Sequence, residues 1–400
     1  MSCHPPPTFR SKVKVAILAD FPLHTLSVLN PKAEVARGAL AQSAPAGHPR
    51  SWLVSVQDAY AQIPDLEIHW VVLSHEISAP REVPVGRQVF HLLPTSASGR
   101  ALTLFRQDRK TIRRCLDAIQ PQVVHAWGTE DVYGWAAATS GFPNIVSMQG
   151  ILSYYVLRNR AYPREYFQAL LECYVLRKAD LVTVESQWGR EVLLRRSPHA
   201  KVEVVEYGVQ RHFLETPWQP DPEKPVAIFV GGIIPRKGIQ DVVAAFRSSA
   251  LASAELWAVG RGGSWAAKLR EEAPTNVKWL GRLSSPETAQ LLRRAWCLVL
   301  PTRADTSPNV VKEARVIGLP VISTPRGGQT AYIQHGENGF LVEPGDVEGL
   351  TKALSTLLSD AARCRAMGDN RHEEHRRLLD PMRTAQSFFE LYQQLGRSSP

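Results

Sequence analysis

Two acids and a helix start carry the most chemistry in this chain. They lie in LVLPTRADTSPNVVKEARVIGLPVISTPRGGQ, residues 298–329. The apolar run at 298–300 reads as a short buried strand. Ser307 is the expected N-cap, with Pro308 at the first helical position. Gly318 and Pro320 close the helix, and Val321 and Ile322 open the next strand. Asp305 stands in the loop and Glu313 inside the helix. A helix start of this kind offers backbone N–H groups to an anion. The acids can accept hydrogen bonds from sugar hydroxyls. A ligand with both phosphate and sugar satisfies the set, and a nucleotide sugar is such a ligand.

The elements around this unit repeat its rhythm. Strands are expected at 226–230, 255–259, 277–280, 297–300 and 320–323, with helices between them. The loops that follow are GGIIPRKG, GRGGS, GRLSSP, PTRADTSP and TPRGGQ. In an open α/β sheet all of these emerge at the carboxyl edge, where ligands bind. Every one carries Arg or Lys, and all but the fourth carry Gly. Tight turns account for the glycines, but the repeated cations point to a phosphate-bearing ligand.

The first half of the chain has the same class of pattern. Strands are expected at 13–19, 68–73, 123–126, 144–148 and 180–184, and helices at 100–118, 131–140, 163–178 and 187–196. Another helix is expected near 33–43. Strand–helix alternation argues a parallel sheet wrapped by helices. The segment 215–225, ETPWQPDPEKP, breaks the rhythm and reads as a linker. The expected division is a disordered lead at 1–12, a Rossmann-like domain at 13–214, the linker at 215–225, a second Rossmann-like domain at 226–380 and a last helix at 381–400. That helix has a broad apolar face at Phe388, Phe389, Leu391 and Tyr392. A return onto the first domain is one way to bury it.

The totals fit two such domains. The chain has 400 residues, 44% hydrophobic and 21% charged. No apolar run approaches the about 18 residues that span a bilayer. No secretory signal is expected at MSCHPPPTFRSK. The five scattered cysteines form no CxxC pair, which fits a reducing cytoplasm. The net charge is +9, with local density at 100–118 in Arg100, Arg106, Arg109, Lys110, Arg113 and Arg114. Leu102, Phe105, Ile112 and Leu116 give that segment an apolar stripe. Its basic side is either a solvated face or a peripheral contact with anionic membrane or a lipid-linked phosphate acceptor. No nucleic-acid motif accompanies it.

Taken together, these residues resemble the family 4 glycosyltransferases of the GT-B fold, retaining enzymes that use nucleotide sugars. DTSPNVVKE followed by GLPVIST resembles the family's paired acids before a GxPVI strand. Gly327, Gly328 and the later NGFLV also match. VVHAWG, ADLVTVES and EYGVQRHF resemble first-domain segments of the family. The resemblance implies an α/β fold of two Rossmann-like domains facing across a cleft. It implies that Glu313 accepts the ribose hydroxyls, Asp305 contacts the transferred sugar, and Lys237 neutralises the leaving diphosphate. The N–H groups at Asn309, Val310 and Val311 would meet the diphosphate. Gly231, Gly232, Arg261, Arg282, Ser307, Gly327 and Gly328 complete the expected donor side.

Besides Asp305, an aspartate where the family usually has glutamate, the chain departs from the family in two places. Gly232 stands where an arginine is common, and Arg236 is the nearby substitute. Gln149 stands where a histidine is common, and glutamine can hydrogen-bond a hydroxyl but cannot act as a base. Lys237, Arg236, Asp305, Gln149 and Glu130 form the expected catalytic group. His125, Trp127, Glu130, Gln149 and Tyr154, near the carboxyl ends of first-domain strands, form the expected acceptor side. The expected reaction moves a hexose-type sugar from a UDP or GDP donor to a glycan, lipid-linked or small-molecule acceptor, in envelope or exopolysaccharide synthesis. No cofactor and no metal are expected, because no DxD or His/Asp cluster is present. A non-catalytic sugar-nucleotide-binding subunit, an epimerase or inverting transferase of the same fold, and an NAD enzyme are the alternatives. Neither GRGGS nor FVGGII gives the full GxGxxG that NAD binding calls for.

Overall fold

The computed structural model describes residues 12–23, 52–157 and 163–397. The helix expected near 33–43 and residues 1–11 of the expected lead lie outside the described residues.

The first sheet contains β1 (Val13–Leu18), β2 (Leu66–Ser74), β3 (Arg81–Val85), β4 (Gln88–Pro94), β5 (Val123–Trp127), β6 (Asn144–Ser147), β7 (Leu181–Val184) and β8 (Val202–Val204). Its spatial order is β3-β4-β2-β1-β5-β6-β7-β8. All neighbours are parallel except β3 and β4. Residues 15–18 of β1 are fully buried, as a strand covered on both faces requires. β3, β4 and β8 were not among the expected strands. β3 is the antiparallel edge and carries Pro84, which cannot donate to a ladder and is tolerated at an edge.

The second sheet contains β9 (Val226–Val230), β10 (Glu255–Val259), β11 (Val277–Gly281), β12 (Cys297–Leu300), β13 (Val321–Ser323) and β14 (Gly339–Leu341). Its order is β11-β10-β9-β12-β13-β14, and every described pair is parallel. The chain leaves β9 in one direction and returns at β12 in the other. This reversal opens a crevice between the loops after β9 and β12, the usual ligand position in an open α/β sheet.

The chain crosses between the two sheets twice, side by side. The N–H of Val209 donates to the carbonyl of Leu379 at 3.0 Å. Gly208 lies so close to Pro381 that a Cβ would stand 2.6 Å from its nitrogen. Val209 and Phe213 already pack in the core of the second sheet, ahead of the segment 215–225. Within that segment Trp218 is buried and donates to the carbonyl of Ala295 at 2.8 Å. The last helix, Pro381–Arg397, returns to the first sheet, where Ala385, Phe388, Phe389 and Tyr392 join its core.

Among the described residues no helix is long and apolar enough to cross a membrane. The basic segment at 100–118 is broken. A short turn at Arg100–Thr103 is followed by Leu104 and Phe105, both left-handed, and then by the helix Arg106–Ile119. Phe105, Ile112 and Leu116 are buried as expected, but Leu102 points into solvent. Arg100 is held by Asp108 at 2.6 Å and by Asp131 at 3.2 Å.

Candidate functional site

The loops after β9 and β12 meet as the topology dictates. Lys237 Nζ forms an ion pair with Asp305 Oδ2, and both side chains are largely buried. Gly238 next to Lys237 has φ +78 and lies against the carbonyl of Pro301, where a Cβ would stand 2.1 Å from the oxygen. Only glycine allows this approach. It draws the lysine loop onto the acid loop. Arg236 donates to the carbonyl of Ala304 at 2.6 Å. Its guanidinium also lies 5.2 Å from the ring centre of Tyr155, a residue of the first domain.

The glycine pair after β13 closes the other side of the acid loop. The N–H of Gly328 donates to the carbonyl of Asp305 at 3.0 Å. A Cβ on Gly328 would fall 1.8 Å from the carbonyl oxygen of Thr306. Gly327 and Gly328 thus fix the acid loop by close backbone approach.

The helix Asn309–Ile317 starts at this loop. Its N-cap is Pro308, not the expected Ser307, and no side chain caps it. Proline leaves Ser307 outside the helix, with its hydroxyl 3.5 Å from that of Tyr332. The expected set of three N–H groups is reduced as well. Val311 already donates to the carbonyl of Pro308 at 3.0 Å. Asn309 and Val310 keep N–H groups that take no partner among the described residues, as at any helix start. The Val310 and Val311 side chains are core.

Glu313 lies one turn further on. Its carboxylate has no hydrogen bond or ion pair among the described residues, although it is half-buried. Burial pushes its pKa up to about 7, against a smaller opposing pull from Lys312. A carboxylate without a donor in such a place is suited to receive ligand hydroxyls. Near the carboxyl ends of β9, β10 and β11, a cavity of about 310 Å³ is lined by Gly231, Gly232, Arg261 and Arg282. A larger cavity, about 850 Å³, lies away from these loops at the chain crossings, between Asp58, Arg211, Arg376 and Asp380.

The first domain presents a different group from the one expected. His125 is fully buried, with its ring nitrogens 2.7 Å from the Tyr392 hydroxyl and 2.7 Å from the Ser147 hydroxyl. Burial lowers its pKa to about 3. Trp127 is core, packed against Trp52, Tyr207 and Phe388. Neither can reach an acceptor, because β5 is covered on both faces. Glu130 is half-buried, folded back over Gly128, and its carbonyl accepts from Gln168 at 2.7 Å. Tyr154 packs edge-on against Trp188, and the neighbouring Tyr155 is the one that meets Arg236. The Gln149 carbonyl accepts from the Thr306 hydroxyl at 3.4 Å, so Gln149 does stand at the cleft.

Three residues the sequence reading did not single out organise the cleft. Glu172 is fully buried, and its carboxylate accepts the N–H groups of Leu152 at 2.8 Å and Ser153 at 3.1 Å. It thereby fixes the start of the short helix Leu152–Val156, which carries Tyr155 and follows Gln149. Ser186 donates across the cleft to the carbonyl of Thr306 at 2.8 Å and also caps the helix Gln187–Arg196. Lys312 pairs with Glu185, also across the cleft, at 2.6 Å.

The comparisons with known proteins bear on the family and the fold. Residues 57–213 match the profile of Glycosyltransferase Family 4, and residues 224–360 match that of Glycosyl transferases group 1. The lipopolysaccharide core biosynthesis glycosyltransferase LpsE of Rhizobium meliloti is 27% identical over 190 residues, 46% of this chain and 53% of that protein. This chain therefore spans about half the length of that relative. Sucrose-phosphate synthase from Thermosynechococcus elongatus superposes with a TM-score of 0.75 at 20% identity, covering 98% of this chain and 100% of that one. HepE of Anabaena, in complex with UDP-glucose, superposes with a TM-score of 0.68 at 15% identity over 95% of this chain and 99% of that one. The two structures share the fold: paired Rossmann-like domains with the loops of both sheets turned to one cleft. The chain belongs to the family 4-like glycosyltransferases and has the GT-B fold.

Proposed function

We propose that this chain transfers a hexose-type sugar, with retention of configuration, from a UDP or GDP sugar to a glycan, lipid-linked or small-molecule acceptor in envelope or exopolysaccharide synthesis. The observation that carries the reading is the Glu313 carboxylate, without a partner among the described residues, on the helix whose start adjoins the Lys237–Asp305 pair. The nucleoside occupies the cavity at Arg261 and Arg282, and its ribose hydroxyls donate to Glu313. The diphosphate meets Lys237, Arg236 and the N–H groups of Asn309 and Val310. Asp305 exchanges its lysine for a hydroxyl of the transferred sugar.

As the anomeric bond breaks, negative charge grows on the leaving phosphate. Fixed cations and helix-start dipoles stabilise that charge without reorganising. These groups suffice for the leaving-group charge, so turnover is expected to survive a chelator. Gln149 and Glu130 face the acceptor from the first domain. A lipid-linked acceptor would bring the 100–118 segment to the cytoplasmic face of the membrane, with its basic side towards anionic lipid.

Calorimetric titration with UDP, GDP and NAD, on the wild type and on Glu313→Ala, tests the reading. Binding of UDP or GDP that is lost in the variant supports it and selects the donor series. Binding of NAD alone overturns it.

A further inference from the structure

Three helices lie side by side on one face of the first sheet: Arg106–Ile119, Val132–Ala138 and Pro163–Lys178. Their inner sides share one core through Ile112, Leu116, Val132, Leu171 and Val175. Their outer sides do not look like an ordinary soluble surface. Tyr166, Leu170 and Tyr174 follow one another at helical spacing, so they form a single stripe. They are 50%, 72% and 41% exposed. A contiguous stripe of this kind marks an interaction surface far more often than scattered single residues do.

The stripe runs into the basic helix. The Tyr174 ring stands 5.7 Å from that of Trp135, and the Arg109 guanidinium covers Trp135 at 4.1 Å. Arg106, Lys110 and Arg114 are exposed beyond it, and Arg177 and Lys178 close the other end of the stripe. Leu102 and Leu157 are 91% and 69% exposed. They follow the carboxyl ends of β4 and β6, on the edge where the cleft opens.

We propose that this face docks on an anionic lipid bilayer. Leu170, with Tyr166 and Tyr174, enters the interfacial region, where tyrosine suits the boundary between headgroup and acyl chain. Lys110 and Arg114, with Arg177 and Lys178, meet the lipid phosphates. Charge complementarity selects this occupant. A second copy of the chain would bring the same cations against each other across a two-fold contact. The docking deepens the reading of a lipid-linked acceptor, on which it rests, because an acceptor held in the bilayer would enter the cleft from the edge that carries Leu102 and Leu157.

The test is flotation of the full chain with vesicles. One set is phosphatidylcholine alone, and the other is an equimolar mixture with phosphatidylglycerol. The expected result is binding to the mixed vesicles, weakened by salt and absent on phosphatidylcholine. Leu170→Glu and the paired change Lys110→Glu with Arg114→Glu should each reduce it by about tenfold or more, with thermal midpoints unchanged. No binding to mixed vesicles overturns the proposal, as does binding that neither variant alters. A dimer in analytical ultracentrifugation that Leu170→Glu breaks would assign the stripe to a second copy and also overturn it. UDP titration of the same preparations separates the two readings: nucleotide binding that persists without vesicle binding removes the docking and leaves the donor site standing.

Discussion

Lys312 Nζ lies 2.6 Å from Glu185 Oε2, and the pair joins the two domains beneath the cleft. Both side chains are almost wholly buried. Lys312 also donates to the carbonyl of Tyr207 at 3.2 Å, next to the first chain crossing. Its neighbour Glu313 has no hydrogen bond or ion pair among the described residues. One helix therefore carries, on adjacent positions, a cation that fastens the first domain and a carboxylate with no partner among the described residues.

Breaking that fastening should be costly. Lys312→Met would leave Glu185, whose pKa burial already raises against the pull of Lys312, without a counter-charge. Loss of one partner of a buried pair costs about 3–5 kcal/mol. Adding Glu185→Leu should recover most of it. Urea unfolding midpoints of the two singles and the double would check this, and a double no more stable than Lys312→Met would refute the pairing energy.

Lys237→Ala should lower kcat/KM for donor turnover on the order of 100-fold or more, because it removes a fixed cation from the leaving group. UDP affinity should fall by less, since the ground state carries less of the developing charge. Steady-state rates with and without acceptor give the comparison. Unchanged turnover would exclude Lys237 from the chemistry.

Glu172→Gln should separate the two halves of the site. One acceptor oxygen becomes a donor facing the N–H groups of Leu152 and Ser153, at a cost typical of an unsatisfied buried group. The segment with Gln149 and Tyr155 loosens, and the donor side feels this only through the contacts of Tyr155 with Arg236 and of Gln149 with Thr306. Transfer to acceptor should drop about tenfold, and UDP affinity by calorimetry should fall by much less. Equal loss of both would show that the loop serves the donor as well.

Acid should weaken both domains. An unfolded histidine takes up a proton near pH 6.5, whereas folded His125 does so only at about 3 and His375 at about 4. In both cases burial is the main cause. Between those values the folded chain binds fewer protons than the unfolded one, so stability falls as pH drops through that window. Melting temperatures from pH 7 to pH 4 should decline, and His125→Phe should flatten the slope.

That the proposed donor residues come together was legible in the sequence because they are local. Asp305, Glu313 and the glycine pair lie within one strand–helix–strand unit, and the βα topology alone gathers the loops of β9 and β12. The acceptor side was not. His125 and Trp127 sit at the right end of β5, but the residues that bury them, Tyr392 and Phe388, come from the far end of the chain. Glu172 reads as an ordinary helix acid until the fold brings Leu152 and Ser153 to it. β3 and β4 were missed although QVFHLL is a good strand, because Pro84 and the charged start of β3 read as loop. Lys312 and Glu185 belong to segments that carried the resemblance, yet nothing local tells a surface lysine from a buried fastening.

Glu313 gives the sharpest pH test. Burial raises its pKa from the ordinary 4.5 to about 7. The folded chain then binds more protons than the unfolded one between those values. The stability this contributes is full below about 4.5 and is lost as pH rises through about 7. Glu313→Gln should therefore stabilise the protein above pH 7, by roughly 1–3 kcal/mol. Ligand affinity should move the other way. Ribose hydroxyls donate to the ionised carboxylate, so UDP binding should strengthen as pH rises through about 7 and level off above it. The phosphate of UDP titrates in the same range, so the informative quantity is the difference between wild type and Glu313→Gln. The variant should be more stable and bind UDP more weakly, and its affinity should lack the extra pH dependence. If both proteins show the same pH profile of UDP affinity, Glu313 does not receive the ribose.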